Sequence, residues 1–190
     1  NAMIPEFEAE QLRMAILKAQ TDCFQVGLTT VDDAGLDTVK VNLIRKMQKS
    51  GELLMRMYVM LEADEAGMEY MKRGIVMEDR LTIRSIKVYA DGALGSRGAA
   101  LKEDYHDHPG HKGTLLHQPV YFKQWAALCD LYGFQMNTHC IGDRANQLML
   151  SVYNDQLSGA NDKRWRIEHA QVLTGNDLDR FKTYSILPSI

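Results

Sequence analysis

The feature that most constrains this chain is a strict alternation: short, β-rich apolar runs separated by stretches whose apolar residues fall at helical spacing. Across residues 5–26, Leu12, Ile16, Ala19 and Cys23 share one helical face, and Gly27 stands where a helix ends on a residue tolerant of positive φ. Leu28-Thr29-Thr30-Val31 follows as a short strand. A second helix is predicted from Asp37 as N-cap through Leu43, Ile44 and Met47 to Gly51, and it leads into a buried strand at 54–61. The pattern repeats with helices near 65–72, 120–132, 144–156 and from 174, and with strands at 81–89, 134–139, 166–169 and 184–190.

Parallel strands need a crossover, and that crossover is normally a helix, so the alternation implies an α/β fold with a parallel sheet covered by helices. An open doubly wound sheet and a (β/α) barrel both satisfy it. The open sheet loses its best support, because neither Gly-x-Gly-x-x-Gly nor Gly-x-x-x-x-Gly-Lys follows the first strand. About six strands in 190 residues make about three quarters of a TIM barrel, which ordinarily needs about 250 residues. The expectation is an incomplete TIM-barrel-like domain of about six β/α units over residues 4–190. Asn1-Ala2-Met3 reads as an expression scar at the head of a piece cut from a longer protein.

Composition narrows the function classes. A hydrophobic content of 45% supports a core, and a net charge of -3 with scattered lysines and arginines argues against nucleic acid as a partner. No run of about 18 apolar residues is present, so no membrane span is expected. Cys23, Cys129 and Cys140 are odd in number, widely spaced and set among apolar residues, which suits reduced core thiols in a cytoplasmic protein. A reactive thiol at Cys140, beside His139, is the alternative.

In either architecture, chemistry gathers at the C-terminal ends of parallel strands. Lys87, His139 and His169 fall there. Alternation puts Lys87, Tyr89 and Asp91 on one face of their strand and Ile86, Val88 and Ala90 on the other; Gln135, Asn137 and His139 likewise share a face. One histidine at a strand end is more often structural than a ligand. Two successive strands ending in histidine, after one with an inward lysine, favour a divalent metal such as zinc. An ammonium is a poor ligand unless its charge is removed, as carboxylation by CO2 would do.

Four segments then carry a resemblance: Val26-Gly27-Leu28-Thr29-Thr30-Val31-Asp32-Asp33-Ala34-Gly35, Lys87-Val88-Tyr89-Ala90-Asp91-Gly92-Ala93-Leu94-Gly95-Ser96, His139-Cys140-Ile141-Gly142-Asp143-Arg144-Ala145 and Arg166-Ile167-Glu168-His169-Ala170. In this order they resemble the amidohydrolase superfamily, in the branch that includes N-substituted formamide deformylases and YtcJ-like hydrolases. The resemblance implies a deformed (β/α)8 barrel, hydrolysis of a small amide-type substrate at a C–N bond, and Lys87, His139 and His169 as ligands of one or two divalent ions, with Lys87 carboxylated. Asp91, Asp143, Arg144 and Glu168 neighbour these positions and would orient the ligands or contact substrate, unless they serve only as loop salt bridges and supporting hydrogen bonds.

The departures matter as much. The family's His-x-His pair on the first strand and its proton-accepting aspartate on the eighth have no counterpart here, so the catalytic residue is expected beyond the C-terminal end. Activity is therefore expected of a longer parent, with this piece silent by itself and its uncovered sheet edges prone to self-association. A flavodoxin-like binding module remains the third reading. His106-Asp107-His108 with His111 imitates a metal motif, but it lies in a polar loop with Pro109, Gly110 and Gly113, where the family has Tyr-x-Asp-x-Pro, matched by Tyr105, Asp107 and Pro109. Gly92, Gly95 and Gly98 lack the lysine of a phosphate loop and read as a strand-to-loop turn.

Overall fold

The computed structural model describes residues 7–190. The expectations for residues 1–3 and for a helix start at residue 5 lie outside them. The first helix, α1 (Ala9–Gln25), leads to β1 (Thr30–Leu36), α2 (Thr38–Lys49), β2 (Arg56–Glu62), α3 (Glu65–Met71), β3 (Val76–Met77) and β4 (Leu81–Tyr89). A long loop separates β4 from α4 (Pro119–Tyr132), followed by β5 (Gln135–Cys140), α5 (Asp143–Leu157), β6 (Arg166–His169), α6 (Gly175–Thr183) and β7 (Leu187–Ser189). The local signals are where the chain needs them: Asp37 caps α2 by accepting from Lys40 N at 2.8 Å, and Thr174 and Asp177 form a capping box at α6.

The strands β1-β2-β4-β5-β6-β7 pair in that order, every pairing parallel, and β3 adds a short antiparallel pairing to β4. This is the incomplete α/β barrel expected from the alternation. Two details differ from the sequence reading. The first strand runs on through Asp32, Asp33, Ala34 and Gly35, although that run has the composition of a turn, and it does not include Leu28 or Thr29. The two-residue β3 carries no periodic signal and went unread.

The helix-facing side of the sheet is the core. Val59, Leu61, Leu81, Ile83, Ile86, Val88, Met136 and Ile167 pack with Ile44, Phe122, Cys129, Met149, Tyr153 and Phe181 from the helices. The other side is polar and strongly curved. Four strand spacings of about 4.8 Å would hold β1 and β6 about 19 Å apart in a flat sheet, yet Arg166 Nη1 of β6 lies 3.1 Å from Asp32 Oδ2 of β1. The hydroxyl of Tyr58 on β2 likewise reaches the Gln135 amide on β5 across the intervening β4.

A bulge sets which residues see this concave side. Val59 pairs with Ile83 but Met60 pairs with Ser85, leaving Arg84 as the extra residue in β4. The outward apolar set thereby changes from Leu81 and Ile83 to Ile86, Val88 and Ala90, and Lys87 turns inward. A second irregularity falls between Ala34 and Leu36, at Gly35, whose φ of +100° suits glycine and where a Cβ would stand 3.2 Å from the Tyr89 hydroxyl.

Beyond β5, the turn into α5 is pressed against the long loop. A Cβ on Gly142 would sit 2.0 Å from the Ala100 carbonyl oxygen, which itself accepts from Arg144 N at 3.1 Å. Gly142→Ala is expected to cost about 1–3 kcal/mol, the usual range for overpacking. Urea unfolding reads this, and an unchanged midpoint would contradict the close approach.

Candidate metal centre

Register brings the three sequence-selected residues to one end of the sheet. Lys87 pairs with Asn137, Tyr89 with His139, His139 with Glu168 and Cys140 with His169. Strict alternation would send His169 to the face opposite Glu168. Instead its φ is +72° and that of Ala170 is +42°, a pair of left-handed residues at the end of β6. The rings of His139 and His169 meet edge to face with centroids 4.6 Å apart. Backbone strain of this kind in non-glycine residues persists where surrounding structure enforces it, and it concentrates at functional sites.

Lys87 is 4% exposed, and its Nζ lies 5.0 Å from the centroid of the Tyr89 ring. Burial lowers its basicity, with the Glu168 charge opposing that effect. Burial also holds the His139 imidazole below its ordinary value, and the charges of His169 and Lys87 act in the same direction. His139 Nε2 is buried without a hydrogen-bond partner, with Asp91 Oδ1 3.6 Å away.

Asp91 has a structural task. Its carboxylate accepts from Ala100 N at 2.9 Å, Ile141 N at 2.9 Å and Gly142 N at 2.7 Å, fastening the long loop to the turn just past His139. Asp143 and Arg144 also engage that loop: Asp143 accepts from Lys102 N at 2.9 Å, and Arg144 Nη2 donates to Gly113 O at 3.3 Å. Glu168 stands on the inner face with its strand partner His139, held by Arg166 Nε at 2.7 Å.

Two residues that the sequence reading did not single out stand beside these groups. Asn146 on α5 donates to the carbonyls of Gly142 at 3.0 Å and Val172 at 3.2 Å, tying the segments that follow β5 and β6 together. Asn137 is fully buried with neither amide atom hydrogen-bonded. Asn137 was placed on the inner face with His139, and its inward direction was the available signal; Asn146 had none. The His106-Asp107-His108 loop is exposed, with Asp107 paired to Arg97 at 2.8 Å and His111 Nε2 3.0 Å from the Arg97 carbonyl oxygen. Among the described residues, no group of three or more His, Cys, Asp or Glu side chains could hold a metal ion. Cys140 is buried, and burial raises its thiol well above its ordinary value, the opposite of what a reactive cysteine needs.

The sequence model of the Amidohydrolase family matches residues 1–190. The chain belongs to that family. It is 34% identical over 122 residues to Protein LONG AFTER FAR-RED 3 of Arabidopsis thaliana, covering 63% of this chain and 21% of that protein. It is 26% identical over 182 residues to YtcJ of Bacillus subtilis (strain 168), named for an amidohydrolase, covering 93% of this chain and 34% of that protein. Its fold superposes on the crystal structure of an uncharacterized metal-dependent hydrolase from Pyrococcus horikoshii with a TM-score of 0.86 at 23% identity, over 97% of this chain and 37% of that chain. The chain thus spans about a fifth to a third of the curated relatives it matches. No helix among the described residues is long and apolar enough to cross a membrane.

Two outcomes follow from the electrostatics. Lys87→Met removes a buried cationic group without a carboxylate on its ammonium, so the metal-free protein should gain about 1–3 kcal/mol in denaturant unfolding; a loss of stability would contradict the burial argument. An unfolded histidine titrates near 6.5, and folded His139 resists protonation. Its contribution to stability is complete above about pH 6.5 and is lost as pH falls through the folded value. His139→Gln should flatten the unfolding free energy in that acid window, and an unaltered slope would show that His139 does not carry it.

Proposed function

We propose that this chain forms the central part of a metal-dependent hydrolase that cleaves amide-type C–N bonds in small, non-peptide substrates. The observation that carries the reading is the convergence of Lys87, His139 and His169 at the C-terminal end of one parallel sheet, inside a family named for amide hydrolysis. The donor set fits a borderline divalent ion such as zinc: two imidazoles and, after carboxylation, an anionic oxygen. His139 Nε2 without a hydrogen-bond partner and a Lys87 amine with lowered basicity support that fit.

Bound there, a divalent cation supplies Lewis-acid polarisation of a carbonyl and a water of lowered pKa. The chain's own residues prepare the site. Carboxylation of Lys87 forms one N–C bond to CO2 and releases one proton, and it requires the neutral amine that burial favours. Asp91 fastens the long loop to the turn just past His139 and so helps to fix that ring in place. Asp143 and Arg144 hold the loop that borders the site, and the Glu168 charge opposes the effect of burial on the lysine. The proton acceptor for the attacking water is proposed to lie outside this chain, in the segment its relatives possess.

Read this way, the chain by itself binds metal weakly and does not turn over. Its exposed edges at β1 and β7 favour homo-oligomers, and a monodisperse monomer in light scattering at high concentration would count against that association. In the full-length protein, metal content and hydrolysis of N-formyl amines and related amides test the function. Lys87→Ala and His139→Ala should each lose both by more than about 100-fold, beyond what loss of a supporting contact alone does. Undiminished turnover in either variant would sink the assignment.

A further inference from the structure

Lys87 and Glu168 lie on the strands flanking β5, project to the same concave side, and are 4% and 9% exposed, yet they do not form an ion pair. An ammonium and a carboxylate withdrawn from water gain strongly by closing on each other. What holds them apart is visible two residues before Glu168. Arg166 Nε takes Glu168 Oε1 at 2.7 Å and Nη1 takes Asp32 Oδ2 at 3.1 Å. Its Nη2 reaches the Met60 sulfur at 3.8 Å, and the guanidinium lies 5.6 Å from the centroid of the Tyr58 ring. A planar guanidinium with contacts on three sides holds a carboxylate in one direction far better than a single ammonium could.

We propose that Arg166 is a positioning residue for the Lys87 site: by capturing Glu168, and by being anchored across the barrel at Asp32, it keeps that carboxylate from closing on Lys87 Nζ. The amine then stays available for carboxylation and metal, instead of being spent in a lysine–glutamate pair. The inference rests on the reading of Lys87 as a ligand, and it adds a reason why an arginine sits beneath a cationic site, where its charge alone would be unfavourable.

The decisive variants are Arg166→Met, which frees Glu168 while preserving side-chain bulk, and the double variant Arg166→Met/Glu168→Gln, which also removes the competing charge. Zinc titration calorimetry and crystal structures of each are the readouts. Arg166→Met should show Glu168 within ion-pair distance of Lys87 and bind zinc at least about 10-fold more weakly, the scale of losing a supporting contact. The double variant should recover affinity to within about threefold of the starting protein, which a purely structural role for Arg166 would not allow. Should Arg166→Met fail to fold, Arg166→Gln carries the same test. If Glu168 stays away from Lys87 in the single variant, or if the double variant fails to recover affinity, the proposal is overturned. If the unmutated protein binds no zinc, the metal reading fails separately, and the Lys87–Glu168 distance in the single variant still decides the positioning claim.

Discussion

The parallel register running from β4 through β6 is the constraint on which the rest of the molecule depends. Side chains on a strand alternate with a period of two, so a slip of one residue would exchange the two faces of the sheet. Lys87 opposite Asn137, and His139 opposite Glu168, is the arrangement that buries Ile86, Val88, Met136 and Ile167 under the helices while turning the polar set inward. The apolar core thus fixes the site's geometry from behind. The bulge at Arg84 is part of that mechanism, since without it the parity set by Leu81 and Ile83 would carry Lys87 to the helix side.

Holding these groups inward works against stability. The concave side contains a buried lysine without an ion pair, a fully buried Asn137 amide without hydrogen bonds, a His139 nitrogen in the same condition, and a left-handed His169. Each is unfavourable by itself. The compensating contacts are local and directional: the Asp91 carboxylate with three backbone N–H groups, the Tyr153 hydroxyl donating to Met136 O at 2.8 Å, and the Trp165 indole donating to Phe134 O at 3.1 Å. Directional contacts of this kind around a polar centre with unsatisfied groups are what pre-organisation looks like in a fold of this kind.

Much of this was legible in the sequence because two periodicities carry it. Helical spacing, apolar runs and their alternation located the helices and the parallel strands of the described residues, and strand-end position with inward alternation selected Lys87 and His139. What was not legible depends on contacts between distant segments. Asp32 and Asp33 look like turn residues until Arg166, 134 positions away, is placed opposite Asp32. The tasks of Asp91, Asp143 and Asn146 consist of backbone hydrogen bonds to segments up to 51 residues away, which leave no spacing to read. His169 was found through strand-end position, but its left-handed backbone could not be, because nothing in Glu168-His169-Ala170 favours positive φ over negative.

The central claim is that Lys87, His139 and His169 form one metal centre. Crystals of the full-length protein, measured above and below the zinc absorption edge, test it most directly. The account predicts an anomalous peak within about 2.0–2.2 Å of an imidazole nitrogen from each histidine and of a carbamate oxygen carried by Lys87. A fully occupied metal elsewhere in the barrel, with Lys87 and His139 outside its coordination sphere, would contradict it.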